Sequence, residues 1–487
     1  MLLCGASGYV LVLLGGLVVS VVPESSAVGQ LPVVGFLRET TLGRMVGLGV
    51  TVVGLGIAAA TWLRLVRYVA RTSAEAPDRL WLVRRATFTW CVPLLLAPAM
   101  FSRDGWSYAA QGELTRLGIS PYVWGPSVLD GPIVEAVDPR WMDTPTPYGP
   151  VPLFWGALAA SVSGDPWFLV VAHRLLALVG LVMLAYAVPR LASWAGRDGA
   201  AASALVLPSP LVLVHGVAGV HNDVLMAGLM ALALVVAIEN SWILGAVLGG
   251  AAAAVKLPGG LVCIGVALVS LPLLSSSLQR ARRLAVVAGV AVAALIGAGM
   301  AAGVGVGWVH ALGVPGEVQT PFSMTTQVGR LLDLVLGAVP VPLGLDLPEG
   351  TAVAALRWSG SATALLLAAR VAFRARTRVP AAGVRAVALV MAALVALSPV
   401  VHHWYALWCV PLLATCRLGR RSAAVLLHLS WLLGVVAPLD SSLEGRGSTI
   451  AVGLLLVGGV AVALALGHRA ATSDDRSSPR STEGVAA

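Results

Sequence analysis

The feature that most constrains this chain is a series of long apolar runs that recurs from end to end, separated by short arginine clusters. A globular core has no use for so much apolar surface, whereas a bilayer takes about 20 residues per crossing helix. Hydrophobic residues fill 58% of the 487 positions and charged ones only 11%, which leaves no stretch for a soluble domain. The pattern predicts an all-α polytopic membrane protein.

The net charge of +9 is placed for a membrane rather than for a nucleic acid. Lys256 is the only lysine, and the arginines gather at 64–85, 190–197, 280–283, 370–378, 417–421 and from 469 onward. Basic residues in short gaps between apolar runs mark cytoplasmic loops. No basic patch with interleaved aromatics sits in a soluble segment, so nucleic acid is not an expected partner. Threading the runs between these clusters places spans at 8–22, 44–66, 86–101, 167–188, 200–218, 224–238, 242–255, 257–274, 284–306, 351–371, 381–399, 404–416, 422–438 and 449–467.

The expected bundle therefore has about 13–14 transmembrane helices in a single integral-membrane domain, 1–468, with both termini cytoplasmic. Runs 242–255 and 257–274, split at Lys256-Leu257-Pro258, are read as two short helices. One tilted helix would place the later arginine clusters outside. The first run lacks a basic leader and is read as a retained helix. Segments 102–165 and 307–350 become large external loops, and 469–487 a disordered tail. The five cysteines lack metal-like spacing and read as packing residues.

Five polar elements then fall on one face, opposite the arginines: Arg103-Asp104, "TPTPYGP" (144–150), "GVHND" (219–223), Lys256 and "SPVVHHWY" (398–405). Their convergence resembles the lining of one external cavity. Arg103-Asp104 reads either as an interfacial ion pair or as a partly desolvated general base. The following 111–118 reads as a helix lying on the membrane, with Trp106 and Tyr108 at headgroup level. His221-Asn222-Asp223 is either a turn with Asp223 as helix N-cap, or a binder of hydroxyls or phosphate. Lys256 either snorkels to headgroups or meets a phosphate beside a helix N-terminus. Trp404, Tyr405 and Trp408 read as an interfacial belt. His402 and His403, being adjacent, cannot both face one metal from a regular helix, so no metal is expected. Neither a Walker A sequence nor a GxSxG elbow occurs, so energy must come from an activated substrate or a gradient.

The ordered set "SRDGWSYAAQGELTRLGISPY", "TPTPYGPVPLFWG", "GVHNDVLMAGL", "AAAAVKLPGG" and "SPVVHHWYALW" resembles the actinobacterial polyprenol-phosphomannose-dependent α-1,6-mannosyltransferases of lipomannan and lipoarabinomannan synthesis, from span 3 to span 12. The resemblance implies a GT-C glycosyltransferase-like bundle with extracytoplasmic loop helices. It also implies a polyprenyl-phosphate-mannose donor, a lipid-linked mannan acceptor, membrane lipids as surroundings, no cofactor, and an active site on the extracytoplasmic face of the plasma membrane. Asp104 inherits the base. Lys256, His402 and Arg330 are the cations expected at the donor phosphate. Arg103, Tyr108, Tyr148, His221, Asn222, Asp223, His403 and Tyr405 are expected to line the substrate. Gly105-Trp106 and His403 depart from the family pattern. Two other readings stay open: a GT-C transferase of arabinofuranose or glucose, and a lipid or sugar transporter without chemistry.

Overall fold

The computed structural model describes residues 1–439 apart from 73–74, 314–317 and 339–347. The span expected at 449–467 and the tail lie outside the described residues. Among the described residues there is no strand. In chain order the helices are α1 (Leu2–Val19), α2 (Pro32–Glu39), α3 (Thr41–Arg71), α4 (Ala76–Cys91), α5 (Asp104–Arg116), α6 (Pro132–Glu135) and α7 (Pro150–Ala160). They continue with α8 (Pro166–Trp194), α9 (Gly199–Val206), α10 (Asp223–Glu239), α11 (Trp242–Val255), α12 (Val262–Ser270) and α13 (Ser277–Ala301). The last are α14 (Met324–Ala338), α15 (Thr351–Arg374), α16 (Pro380–Leu397), α17 (Val410–Thr415) and α18 (Arg420–Val435). The protein is an all-α, multi-pass membrane protein.

By length and composition six described helices can cross a membrane: α1, α3, α8, α13, α15 and α16. Several other expected spans are interrupted, and proline is the recurrent cause. Proline removes a backbone donor and its ring clashes with the preceding turn. The run 86–101 leaves the helix at Cys91 and passes Pro93 and Pro98 as a short 3-10 turn and irregular chain. The run 200–218 divides at Pro208 and Pro210 into α9 and a π-helix, Leu211–Ala218, bent by 52°. The run 404–416 becomes a 3-10 turn, His403–Trp408, and α17, which begins at Val410-Pro411. Apolar length registers such runs as crossings, but it is blind to the break inside them.

Lys256 takes extended backbone between α11 and a 3-10 turn, Leu257–Leu261, as the two-helix reading of this region expected. After the break α12 packs back against α10 and α11. The segment 102–165, expected as an external loop, is largely helical and carries α5, α6 and α7. Here α5 corrects the expected surface helix. It runs unbroken from Asp104, and Trp106, Tyr108, Gln111 and Leu114 are all buried. The Trp106 indole donates to the Val21 carbonyl and its ring meets Trp167 edge-on. α5 therefore packs on α7 and α8 inside the protein instead of floating at headgroup level.

Candidate active site

Asp104 is the first residue of α5, and its carboxylate points inward, 9% exposed. Three side chains approach Oδ2. The Tyr148 hydroxyl lies at 3.3 Å, the Tyr108 hydroxyl at 3.5 Å, and His221 Nε2 at 3.8 Å. The last is a gap rather than a bond. His221 Nδ1 lies 2.7 Å from the His215 carbonyl, which can only accept, so the ring proton sits on Nδ1 and Nε2 carries a lone pair toward Asp104. Burial pushes the Asp104 carboxyl up to about 6, and the Lys256 charge only partly offsets this.

The "TPTPYGP" turn is built to deliver Tyr148. Thr146 donates to Gln111 Oε1 on α5 (2.9 Å), and its hydroxyl accepts the Tyr148 N–H (3.3 Å). Tyr122 donates to the Tyr148 carbonyl at 2.9 Å. The next amide, Gly149 N–H, reaches the Val255 carbonyl at 3.0 Å, the residue before Lys256. Only glycine allows that approach, since a Cβ here would stand 2.2 Å from the Ala254 oxygen. One turn thus couples Asp104 to the Lys256 break.

Lys256 is 7% exposed, which excludes snorkelling to headgroups. Its Nζ lies 3.1 Å from Asp223 Oδ1 and over the Tyr405, Trp408 and Tyr148 rings at 4.4, 5.2 and 5.5 Å. The Trp408 indole donates to the same Asp223 oxygen. Asp223 is the first residue of α10 and makes no cap bond, so the N-cap expectation is corrected. Trp404 and Trp408 are likewise corrected: both are buried site residues and not an interfacial belt. Hydropathy placed them at a span end, but the 3-10 turn His403–Trp408 folds them inward.

Among the described residues, several buried polar atoms of this cluster have no hydrogen-bond partner: His221 Nε2, Asp223 Oδ2 and both side-chain atoms of Asn222. Each such group costs roughly 1–3 kcal/mol unless a ligand satisfies it. His402 stacks on Trp404 at 4.4 Å and meets Tyr405 edge-on, close enough for burial and the Lys256 charge to hold its pKa well below the ordinary value. His403 turns elsewhere, against His215 and Phe322. Arg103 Nε donates to the Ala136 carbonyl at 2.9 Å, and its charge acts on Asp138, tying the loop down.

Beside Lys256 opens a largely apolar cavity of about 1570 Å³. Its wall runs from Lys256, Tyr405 and Trp408 past Trp358 and Leu365 of α15 to Leu394 of α16. Arg330 is on the same wall and donates to Gln319 at 2.7 Å. Asp104 is not on this wall; Tyr148 touches both it and Lys256. Among the described residues no group of three or more His, Cys, Asp or Glu is placed to hold a metal ion. Sequence reasoning missed Gln111, Thr146, His215 and Trp408 as site residues. Of these, Gln111, Thr146 and Trp408 stood inside motifs already singled out, and only His215 lay in an apolar run with nothing to mark it.

Residues 2–272 match the model of the α-(1→6)-mannopyranosyltransferase N-terminal domain, and residues 325–467 match that of the MptB C-terminal domain. The chain is 32% identical to a probable α-(1→6)-mannopyranosyltransferase of Mycolicibacterium smegmatis, over 90% of this chain and 82% of the relative. It is 29% identical to α-(1→6)-mannopyranosyltransferase B of Corynebacterium glutamicum, over 85% and 72%. It is 38% identical to α-(1→6)-mannopyranosyltransferase A of Mycobacterium tuberculosis, over 43% and 40%. No solved structure matches. A family model covering more than half of the chain, and a relative aligned over most of both lengths, place this protein in the α-(1→6)-mannopyranosyltransferase family.

Proposed function

We propose that the chain is an inverting GT-C mannosyltransferase that moves mannose from polyprenyl-phosphate-mannose to a mannosylated phosphoinositide or lipomannan acceptor, forming an α-1,6 link. The observation that carries this reading is the meeting of two unlike environments. A buried carboxylate with a hydrogen-bonding gap at His221 adjoins a buried cation on the wall of a large, largely apolar cavity. A sugar hydroxyl suits the first, and a lipid phosphate with its chain suits the second.

The chemistry follows from these groups. The acceptor's primary hydroxyl sits in the gap between Asp104 and His221 and attacks the anomeric carbon. Asp104 takes the proton as the oxygen–carbon bond forms. The bond from that carbon to the phosphate oxygen breaks, and its electron pair leaves with the polyprenyl phosphate. Lys256, with Arg330 on the same wall, meets the growing negative charge, and His402, kept neutral by burial and by Lys256, can only add an N–H donor. One displacement turns a β-linked donor into an α-linked product. Tyr148 and Tyr108 orient the base, and Asn222, Asp223 and Tyr405 bind sugar hydroxyls. His403 supports the pocket from behind, and Arg103 holds the loop on the acceptor side. Residues 1–468 act as one integral-membrane unit, termini cytoplasmic and site extracytoplasmic. The site uses no cofactor and takes its energy from the donor's phosphate ester.

The test offers radiolabelled polyprenyl-phosphate-mannose, and separately the arabinofuranose and glucose analogues, to membranes holding the chain with a lipid-linked mannan. Mannose transfer with α-1,6 product is expected. Transfer from another donor alone, or no transfer at all, defeats the reading.

A further inference from the structure

Arg174 is a charge that the proposed chemistry leaves unused. It lies inside α8, one of the long apolar helices, and is 1% exposed. A guanidinium there is expensive and by default functional. Its partners are three main-chain carbonyls and not a carboxylate: Nε donates to Val217, Nη1 to Leu95 and Nη2 to Pro98, each at 2.9 Å. Leu95 and Pro98 belong to the irregular segment that leads into Asp104. Val217 belongs to the π-helix that leads into His221-Asn222-Asp223.

Those two segments also touch each other, Met100 N–H donating to the Ala218 carbonyl at 3.0 Å. Just beyond the contact each passes through a left-handed residue, Phe101 and Val220, both at φ 61°. An aromatic and a β-branched residue are strained in that region, and such strain survives only where the surroundings over-determine it. We propose that Arg174 is a positioning residue: its forked guanidinium clamps the two strained segments together, and so fixes Asp104 against His221. This rests on the proposed placement of the reaction between those two side chains. Lysine carries its three N–H donors on one atom and lacks the planar fork that reaches all three carbonyls at once.

The test uses the full chain in lipid vesicles and measures kcat and KM for polyprenyl-phosphate-mannose together with the unfolding temperature. Arg174→Lys is expected to lower kcat on the order of 10- to 100-fold, as a misplaced site does, with KM nearly unchanged. Adding Val220→Gly relieves the strain, so the unfolding temperature should recover while kcat stays low. A parental kcat in Arg174→Lys, or kcat recovering together with the unfolding temperature, overturns the proposal. Should Arg174→Lys not fold alone, Arg174→Lys with Val220→Gly is compared with Val220→Gly: a lower kcat in the double variant supports the clamp, and an equal kcat sinks it. Asp104→Asn, run alongside, separates the two ideas, since its retained turnover would defeat the base assignment whatever Arg174 does.

Discussion

A carboxylate that ionises only with difficulty makes a strong base at neutral pH, and Asp104 is held in that condition by burial. Asp104→Asn should lower kcat by about 100- to 10,000-fold, the usual range for a positioned base, while donor binding survives. In the parent, kcat/KM should fall with unit slope as pH drops through about 6, where the carboxyl protonates. The sign for stability is opposite. A carboxyl raised from 3.8 to about 6 adds stability below pH 3.8 that is lost as pH rises through about 6, so Asp104→Asn should unfold no earlier than the parent at pH 7. Lys256 offers a second residue-scale test. Lys256→Met strands the Asp223 charge and should cost about 3–5 kcal/mol, read by denaturation in detergent. Lys256→Met with Asp223→Asn should regain most of that stability without regaining turnover. Both residues stood out in the sequence as isolated charges beside apolar runs. Their mutual contact did not, because 33 positions of chain separate them.

At the scale of elements, the site is assembled from interruptions. Asp104 follows the broken run after α4, His221 follows a π-helix, and Lys256 fills the gap after α11. Only the break at Lys256-Leu257-Pro258 was legible in the sequence; the runs before Asp104 and His221 read as unbroken spans, and the direction taken after each break depends on neighbours. The Trp404 and Trp408 rings show this: an apolar run with aromatics at its start reads as an interfacial belt until the 3-10 turn carries them inside. The loop 144–150 shows it again, since its "TPTPYGP" sequence announces a turn but not its docking on Val255. Gly149→Ala should force that turn off the Lys256 break, at a cost of about 1–3 kcal/mol from overpacking. It should also raise KM for the donor and lower kcat together, measured against an unfolding curve. A variant with normal kinetics would show that the turn does not couple the two halves of the site.

For the whole molecule, the decisive feature is a largely apolar cavity with a cation on a wall built in part by α15 and α16. Shortening the donor's polyprenyl chain should raise KM and leave kcat unchanged, because the chain binds ground and transition states alike. Losing even two buried methylene groups is worth roughly tenfold in affinity. A KM independent of chain length across a series of synthetic donors would separate the cavity from the lipid.

Some properties of this protein are additive along the chain, and the sequence settles those: an all-helical membrane bundle, the isolated charges, the break at Lys256-Leu257-Pro258, and the family. Hydropathy and propensity depend on nearest neighbours, so a linear reading captures them. The tertiary structure decided what depends on distant segments meeting. It buried α5, paired Lys256 with Asp223, set His221 against Asp104 across a gap, and gave Arg174 three carbonyls from two separate breaks. A buried charge must find its partners in space, and no local pattern says which ones they will be.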